Sequence, residues 1–360
     1  MMDQIASAGV GLGAIGVQWG RRPDVTPPCR LTRRDLRLLT FLHDFGYATT
    51  RMLAGLFWGR MGTATHERLK LLHDVGMVDK LRPRVGRDDG SHEWIYRLAA
   101  LGWRTILDAS LAADGEDYTP AELTSIAYVE HDVQVAGLVT TVAARAARAA
   151  GREGPLIDAA PFRMLGPRSG TVDPRREMRA ADASLASDLG ERRVRVELSV
   201  PGVLRPDATL LGVTDHGERT AVMVEYDRTR RASKQLTRLR RYDHLLTEGW
   251  RRSRYAALDV EPAVLVVCSD ERQLPTFVGA ADRELTAWIG GPHCSRRSGE
   301  HTGREQIGFT TRDRLLAGDD RILQVPSLPP PERPAGRLGG ESALPREARF
   351  PLDSLFRAAA

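Results

Sequence analysis

Arg205-Pro206-Asp207-Ala208, a turn at Asp215-His216-Gly217, and Val222-Met223-Val224-Glu225-Tyr226-Asp227-Arg228-Thr229 together decide the fold of the C-terminal half. Residues 208–213 and 220–226 are short apolar runs around a polar Asp/Gly turn, so they pair as an antiparallel hairpin. Side chains in a strand repeat every second residue, which sets Glu225 and Asp227 on one face, with Asp207 arriving from the neighbouring strand. Such carboxylates repel one another unless a cation sits between them. Oxygen ligands select hard ions, so the expected cation is Mg²⁺ or Mn²⁺, held by Asp207 and Glu225.

The composition changes sharply after that strand. Residues 228–254 carry ten Lys/Arg against two acids, Asp243 and Glu248. Leu236, Leu239, Tyr242, Leu245 and Leu246 recur at three- and four-residue steps, which predicts a helix with one buried face and its arginines outward. Metal-binding carboxylates beside a concentrated positive face, Arg230 and Arg231 included, suit a phosphodiester better than a neutral substrate.

This set resembles the nuclease core of the PD-(D/E)xK superfamily, in which a Pro-Asp on one strand and an acid-x-Lys on the next hold the metal and the attacking water. Asp207 and Glu225 match the two acids, whereas Asp227 stands where the lysine belongs. Lys234 on the following helix is the residue that would supply the amine. More specifically, Arg-Pro-Asp-Ala, Val-Glu-Tyr-Asp-Arg-Thr, Lys234 and Tyr242 are similar to the bacterial replication-relaxation family of plasmids and other mobile elements, in which acid-x-Asp-Arg-Thr is usual. The resemblance implies a catalytic set of Asp207, Glu225, Asp227 and Lys234, with replication or mobilisation proteins as partners. A plainer reading stands beside it, in which these acids are strand residues paired with nearby arginines and the domain only grips DNA or a partner.

Residues 31–104 hold the second signal. Thr32 is an N-cap for an amphipathic helix through Leu36, Leu38, Leu39, Leu42 and Phe45, ended by Gly46. Residues 52–57 and 63–75 form two more helices, closed by Gly59 and Gly76. Residues 77–81 and 94–98 read as strands around a polar loop, so three helices and a hairpin make a winged helix-turn-helix. In that fold the third helix enters the major groove and the wing reaches the flanking backbone. The residues expected to face DNA are Thr63, Thr65, His66, Arg68 and Lys70 on the helix and Arg82, Arg84 and Arg87 on the wing. This segment has 13 Lys/Arg and 8 Asp/Glu, an excess that attracts phosphate without regard to sequence. Winged helices also serve as dimerisation or docking modules, and that reading stays open.

The expected fold class is thus α/β, or α+β overall: an N-terminal winged helix-turn-helix followed by a restriction-endonuclease-like mixed sheet flanked by helices. The expected boundaries are a disordered N-terminus over 1–30, the winged helix over 31–106, a linker over 107–119, the nuclease-like domain over 120–324 with an irregular insertion at 151–190, and a Pro/Gly-rich tail over 325–360. A helix from about residue 120 carries His131-Asp132, similar to a motif of the same family, and offers Glu130 or Asp132 to the metal; Glu197 on a strand over 194–200 is a further ligand candidate. Residues 262–268 are one apolar run, a strand buried on both faces, and residues 271–289 are helical in pattern.

With 42% hydrophobic residues and no long apolar run, the chain is not built for a membrane, and its net charge of +5 favours an anionic partner, double-stranded DNA. Cys29, Cys268 and Cys294 are odd in number and form no CxxC pair, as expected of a reduced, cytoplasmic protein. No Walker-type loop and no Gly-x-Ser-x-Gly elbow occurs, so the sequence offers nothing for ATP hydrolysis or serine catalysis.

Overall fold

The computed structural model describes residues 17–83, 93–111, 126–149, 151, 154–156, 163–172, 203–213, 219–228, 233–247, 249–285, 287–288, 296–297, 302–319, 321–325 and 346–348. It is a mixed α/β chain that divides into two compact units near residue 148.

In the first unit, strand β1 (Val17–Trp19) precedes helix α1 (Arg33–Phe45), strand β2 (Tyr47–Thr49), helices α2 (Thr50–Trp58) and α3 (Thr63–Asp74), strands β3 (Val78–Pro83) and β4 (Ile95–Leu98), and helices α4 (Ala100–Asp108) and α5 (Ile126–Ala149). Helix α1 starts in a capping box: the Thr32 hydroxyl accepts the Asp35 N–H while the Asp35 carboxylate accepts the Thr32 N–H, satisfying two donors that a helix start otherwise leaves bare. The Thr49 hydroxyl likewise caps α2, and Gly59 ends it at φ 74°, a backbone state that disfavours any residue with a Cβ. Leu38, Leu39, Leu42, Leu53, Phe57, Leu69, Leu72 and Ile106 are fully buried between these helices. The hairpin β3–β4 is flanked on one side by β1 and on the other by β2, in the order β1-β3-β4-β2, all antiparallel.

Three expectations for this half need correction. Residues 17–19 are not part of a disordered terminus, because the open edge of β3 pairs with them. Helix α4 runs through Asp108, where a linker was expected from residue 107. Helix α5, expected to open the second domain, clusters with the first unit, since Val129 is buried with Tyr47, Leu81 and Ile95 and Val133 packs against them. Helix α4 lies tight against the residue before β3 and the end of β4: a Cβ on Gly102 would lie 2.2 Å from the Met77 carbonyl oxygen and 2.8 Å from Leu98 Cδ1. Gly102→Ala is therefore expected to destabilise the unit by about 1–3 kcal/mol; an unchanged thermal midpoint would mean that the backbone around Gly102 yields to a methyl group.

The second unit is built on a seven-stranded sheet. In chain order its elements are β5 (Arg163–Leu165), β6 (Ala208–Val213), β7 (Arg219–Asp227), α6 (Ser233–Thr247), α7 (Arg254–Ala257), β8 (Pro262–Cys268), α8 (Leu274–Glu284), a short pair β9 (Ala287–Trp288) and β10 (Arg296–Arg297), β11 (Ile307–Thr311), α9 (Arg312–Ala317), β12 (Ile322–Gln324) and β13 (Arg346–Ala348). The order across the sheet is β13-β12-β11-β8-β7-β6-β5. Strands β7, β8 and β11 run parallel, joined through α6 and α8, and the remaining neighbours are antiparallel. Every residue of β8 is buried, as its unbroken apolar run predicts for a strand covered on both faces. Leu239, Tyr242, Leu245 and Leu246 of α6 pack on Met223, Val264, Val266 and Phe309 of the sheet.

Here too the sequence expectations shift at the edges. The segment 151–190, expected to be irregular, supplies edge strand β5, and the 325–360 tail supplies β13. The expected strand over 194–200, with Glu197, and the hairpin turn at 215–217 lie outside the described residues.

Candidate functional site

Strands β6 and β7 pair with Ala208 opposite Val224. Asp207 directly precedes β6 and Glu225 directly follows Val224, so the two acids lie next to this last pair of the ladder. The Asp207 carboxylate accepts the N–H of Tyr226 at 2.7 Å, which fastens the start of β6 to β7. Glu225 is only 2% exposed, and its two oxygens accept hydrogen bonds from different groups of α6: Oε2 from the Arg238 guanidinium and Oε1 from the Tyr242 hydroxyl. Asp227 is also buried, paired across the ladder with Cys268 at the C-terminal end of β8.

Two residues four apart on a helix lie on one face, which is how Arg238 and Tyr242 reach the same carboxylate. Tyr242 is anchored in the core, and burial pushes its hydroxyl pKa well up, with the charge of Glu225 adding to the effect. Burial by itself lowers the pKa of Arg238; the negative charges around it, Glu225 first and then Asp207, outweigh that and raise it. The Cys268 thiol is pushed up to about 12, by burial first and then by Asp227, Asp270 and Glu271, so it is a packed thiol with no nucleophilic character.

A positive charge beside Glu225 is supplied by a protein side chain, Arg238. As placed, the residues do not fit Mg²⁺ or Mn²⁺: both oxygens of Glu225 are engaged by donors, Asp207 bonds the backbone, and no group of three or more His, Cys, Asp or Glu among the described residues is arranged to hold a metal. Position 234 lies in the first turn of α6, one turn before Arg238, and the Lys234 side chain is outside the described residues, as are Arg230 and Arg231. On α5, Glu130 is exposed and Asp132 lies 3.3 Å from a ring nitrogen of His131.

On α3, Thr63, His66 and Lys70 are exposed at steps of three and four and form one polar stripe with Glu67. Lys70 is 71% exposed and its ammonium lies 2.5 Å from Asp74. The other two helix residues expected on DNA face inward. Thr65 is buried, and Arg68 turns to Asp35: its Nε donates at 2.9 Å to Oδ1, and its second nitrogen bonds both Oδ2 and, at 2.8 Å, the Arg30 carbonyl. Arg68 thus ties α3 to the start of α1. On the hairpin, Arg82 donates to Gln18 at 2.8 Å and lies 4.9 Å from the Trp94 ring, with Lys80 5.1 Å from the same ring. Arg84 and Arg87 lie outside the described residues.

Sequence reasoning missed Arg238, Asp35, Lys80 and Trp94. The spacing Arg238 to Tyr242 was a usable signal, since it sets a cation one turn from a residue already assigned to the buried face. Asp35 could have been found as the third residue after Thr32, the capping-box position.

Residues 39–260 match the replication-relaxation family. The match spans more than half of the chain, and the chain belongs to that family. No curated protein and no solved structure matches it. No helix among the described residues is long and apolar enough to cross a membrane.

Proposed function

We propose that this replication-relaxation protein binds double-stranded DNA through its first unit and acts in the replication of a plasmid or other mobile element. In this reading α1–α3 and the β3–β4 hairpin are a winged helix-turn-helix, with α3 in the major groove and the hairpin as the wing. The observation that carries it is the solvent-facing stripe of Thr63, His66 and Lys70, residues of the right chemistry that the packing of α3 leaves outward. Lys80 and Arg82 add positive charge on the hairpin.

The second unit is read as a nuclease-like fold: an acid-bearing antiparallel hairpin, then a helix crossing over to a parallel strand, follows the order of the PD-(D/E)xK core. Its part is to grip DNA or a replication partner, because cleavage by Asp207, Glu225, Asp227 and Lys234 would first require Glu225 to shed Arg238 and Tyr242. Replacing Lys70 with Ala should weaken duplex binding and reduce the log-log salt slope by about 0.9 for each phosphate that the protein no longer neutralises. Gel shifts at several salt concentrations read this out, and unchanged affinity in a His66→Ala/Lys70→Ala protein would remove α3 from the account. The same preparations should leave supercoiled plasmid intact with Mg²⁺ or Mn²⁺. Nicking that disappears in Glu225→Gln would instead establish the cleaving reading.

A further inference from the structure

We infer that Arg33, Arg34 and Arg60 form a phosphate-binding edge beside α3, which grips the sugar–phosphate backbone of duplex DNA and supplies affinity without regard to base sequence. The inference rests on the reading of α3 as the helix in the major groove, and it adds a contact surface that the exposed stripe of α3 does not contain.

Three observations carry it. The first is that these cations are not used by the fold. Arg33, Arg34 and Arg60 are exposed, and none of them forms an ion pair among the described residues. The acids nearby are already neutralised: Asp35 is buried against Arg68, and Asp74 is paired with Lys70. Between residues 30 and 70 the only exposed acid is Glu67, on α3 itself, so the edge carries a net positive charge.

The second is that one of the three is held ready. The guanidinium carbon of Arg34 lies 5.4 Å from the centre of the Trp58 ring, and Trp58 packs edge-on against the fully buried Phe57. A guanidinium set over an indole is held by its flat face while its N–H donors stay available at the rim, so less freedom is lost when they meet a phosphate.

The third is position. Arg68 ties the start of α1 to α3 through Asp35 and the Arg30 carbonyl, and residues 59–64 run exposed without a break through Arg60 into the first turn of α3. A helix about 10–12 Å across fills a major groove about 12 Å wide. Groups set just beside that helix therefore meet the flanking phosphates, and arginine binds a phosphate through two parallel N–H donors.

The test is fluorescence anisotropy of the full chain with labelled duplexes of several unrelated sequences, titrated over a range of salt concentrations. Arg33→Ala/Arg34→Ala/Arg60→Ala should bind at least about tenfold more weakly at low salt, with the log-log salt slope reduced by about 2–3, and the loss should be the same factor for every duplex. Arg33→Lys/Arg60→Lys should keep most of the affinity and the slope, since the backbone reads charge. Arg33→Ala/Arg60→Ala, which leaves Arg34 on Trp58, is the second variant should the first not fold, and its slope should fall by about 1–2. A folded alanine variant with wild-type affinity and slope overturns the inference, as does a loss confined to one duplex sequence. Lost binding to phosphatidylserine vesicles with duplex affinity unchanged would give the edge to a membrane surface and overturn it too. Wild type that binds no duplex ends the reading of the first unit and this inference together, whereas binding that His66→Ala/Lys70→Ala weakens and the arginine variant does not ends this inference alone.

Discussion

Arg68→Ala is expected to destabilise the first unit by about 3 kcal/mol, while Lys70→Ala, two residues along the same helix, should change its stability by less than about 0.5 kcal/mol. Both residues are basic, and on sequence grounds both were expected to face DNA. Their surroundings separate them. Lys70 is largely in solvent and its ion pair with Asp74 is an i,i+4 surface interaction, the kind that exchanges water for little gain. Arg68 instead neutralises Asp35, a carboxylate 1% exposed, through two nitrogens, and with its remaining reach bonds the Arg30 carbonyl. Truncation leaves Asp35 buried with the Thr32 bonds of the capping box and without the Arg68 charge, and it loosens the junction of α1 and α3 at the same time. Denaturation of the full chain, followed in the first unit by hydrogen exchange of the α1 amides, distinguishes the two variants. Equal losses would mean that the Asp35 pair is no stronger than a surface bridge.

The same pair has a pH signature. Burial by itself raises the Asp35 pKa, and hydrogen bonds from Arg68 and Thr32 overcome that, so the folded value lies below the ordinary 3.8. A depressed folded pKa means that the contribution is fully present above the unfolded value and is lost as pH falls through the folded one. Wild type should thus lose stability on acidification below about pH 4. In Arg68→Ala the lowering by the guanidinium is gone while burial and the Thr32 bonds remain, so the folded pKa rises from its wild-type value and this carboxylate's loss of stability on acidification shrinks.

What was legible in the sequence follows from how local each signal is. The caps at Thr32, Gly46 and Gly59 depend on single residues and their immediate neighbours, and α1 and α2 lie close to where those residues put them. The apolar run of β8 needs no partner to be recognised. Strands β1, β5 and β13 were invisible for the opposite reason: each is three residues long and exists because a distant strand offers a backbone edge. The hairpin was readable because alternation and register are local, and β6 and β7 do pair antiparallel with Ala208 opposite Val224, next to Asp207 and Glu225. The partner of Glu225 was not, because Arg238 is brought to it by the tertiary packing of α6, thirteen residues further along the chain. Arg68 shows the same limit, since the sequence marks it as basic on a helix while only the position of Asp35, thirty-three residues earlier, turns it inward.

Removal of Glu225 is the change with the largest expected effect on the second unit, about 2–4 kcal/mol for Glu225→Ala. The loss has three parts that act together. The Tyr242 hydroxyl is fully enclosed and loses its acceptor, the worst case for a buried donor. Arg238 loses the first of the charges that hold it in place, though at 45% exposure it can swing towards water and recover part of the loss. The side chain also leaves a gap between β7 and α6, whose packing holds the parallel centre of the sheet. Tyr242→Phe, which removes the donor together with its need, should cost only about 1 kcal/mol. The double variant Glu225→Ala/Tyr242→Phe should then be more stable than the two single losses added together, by about 1 kcal/mol or more, because the orphaned hydroxyl is gone. Urea unfolding of the four proteins closes the cycle, and strict additivity would show that Tyr242 and Glu225 do not act as a pair. The consequence reaches the functional assay. A loss of activity in Glu225→Ala would report the collapse of this clamp as readily as the loss of a metal ligand, so only Glu225→Gln, compared with wild type at matched fraction folded, can speak to chemistry at the carboxylate.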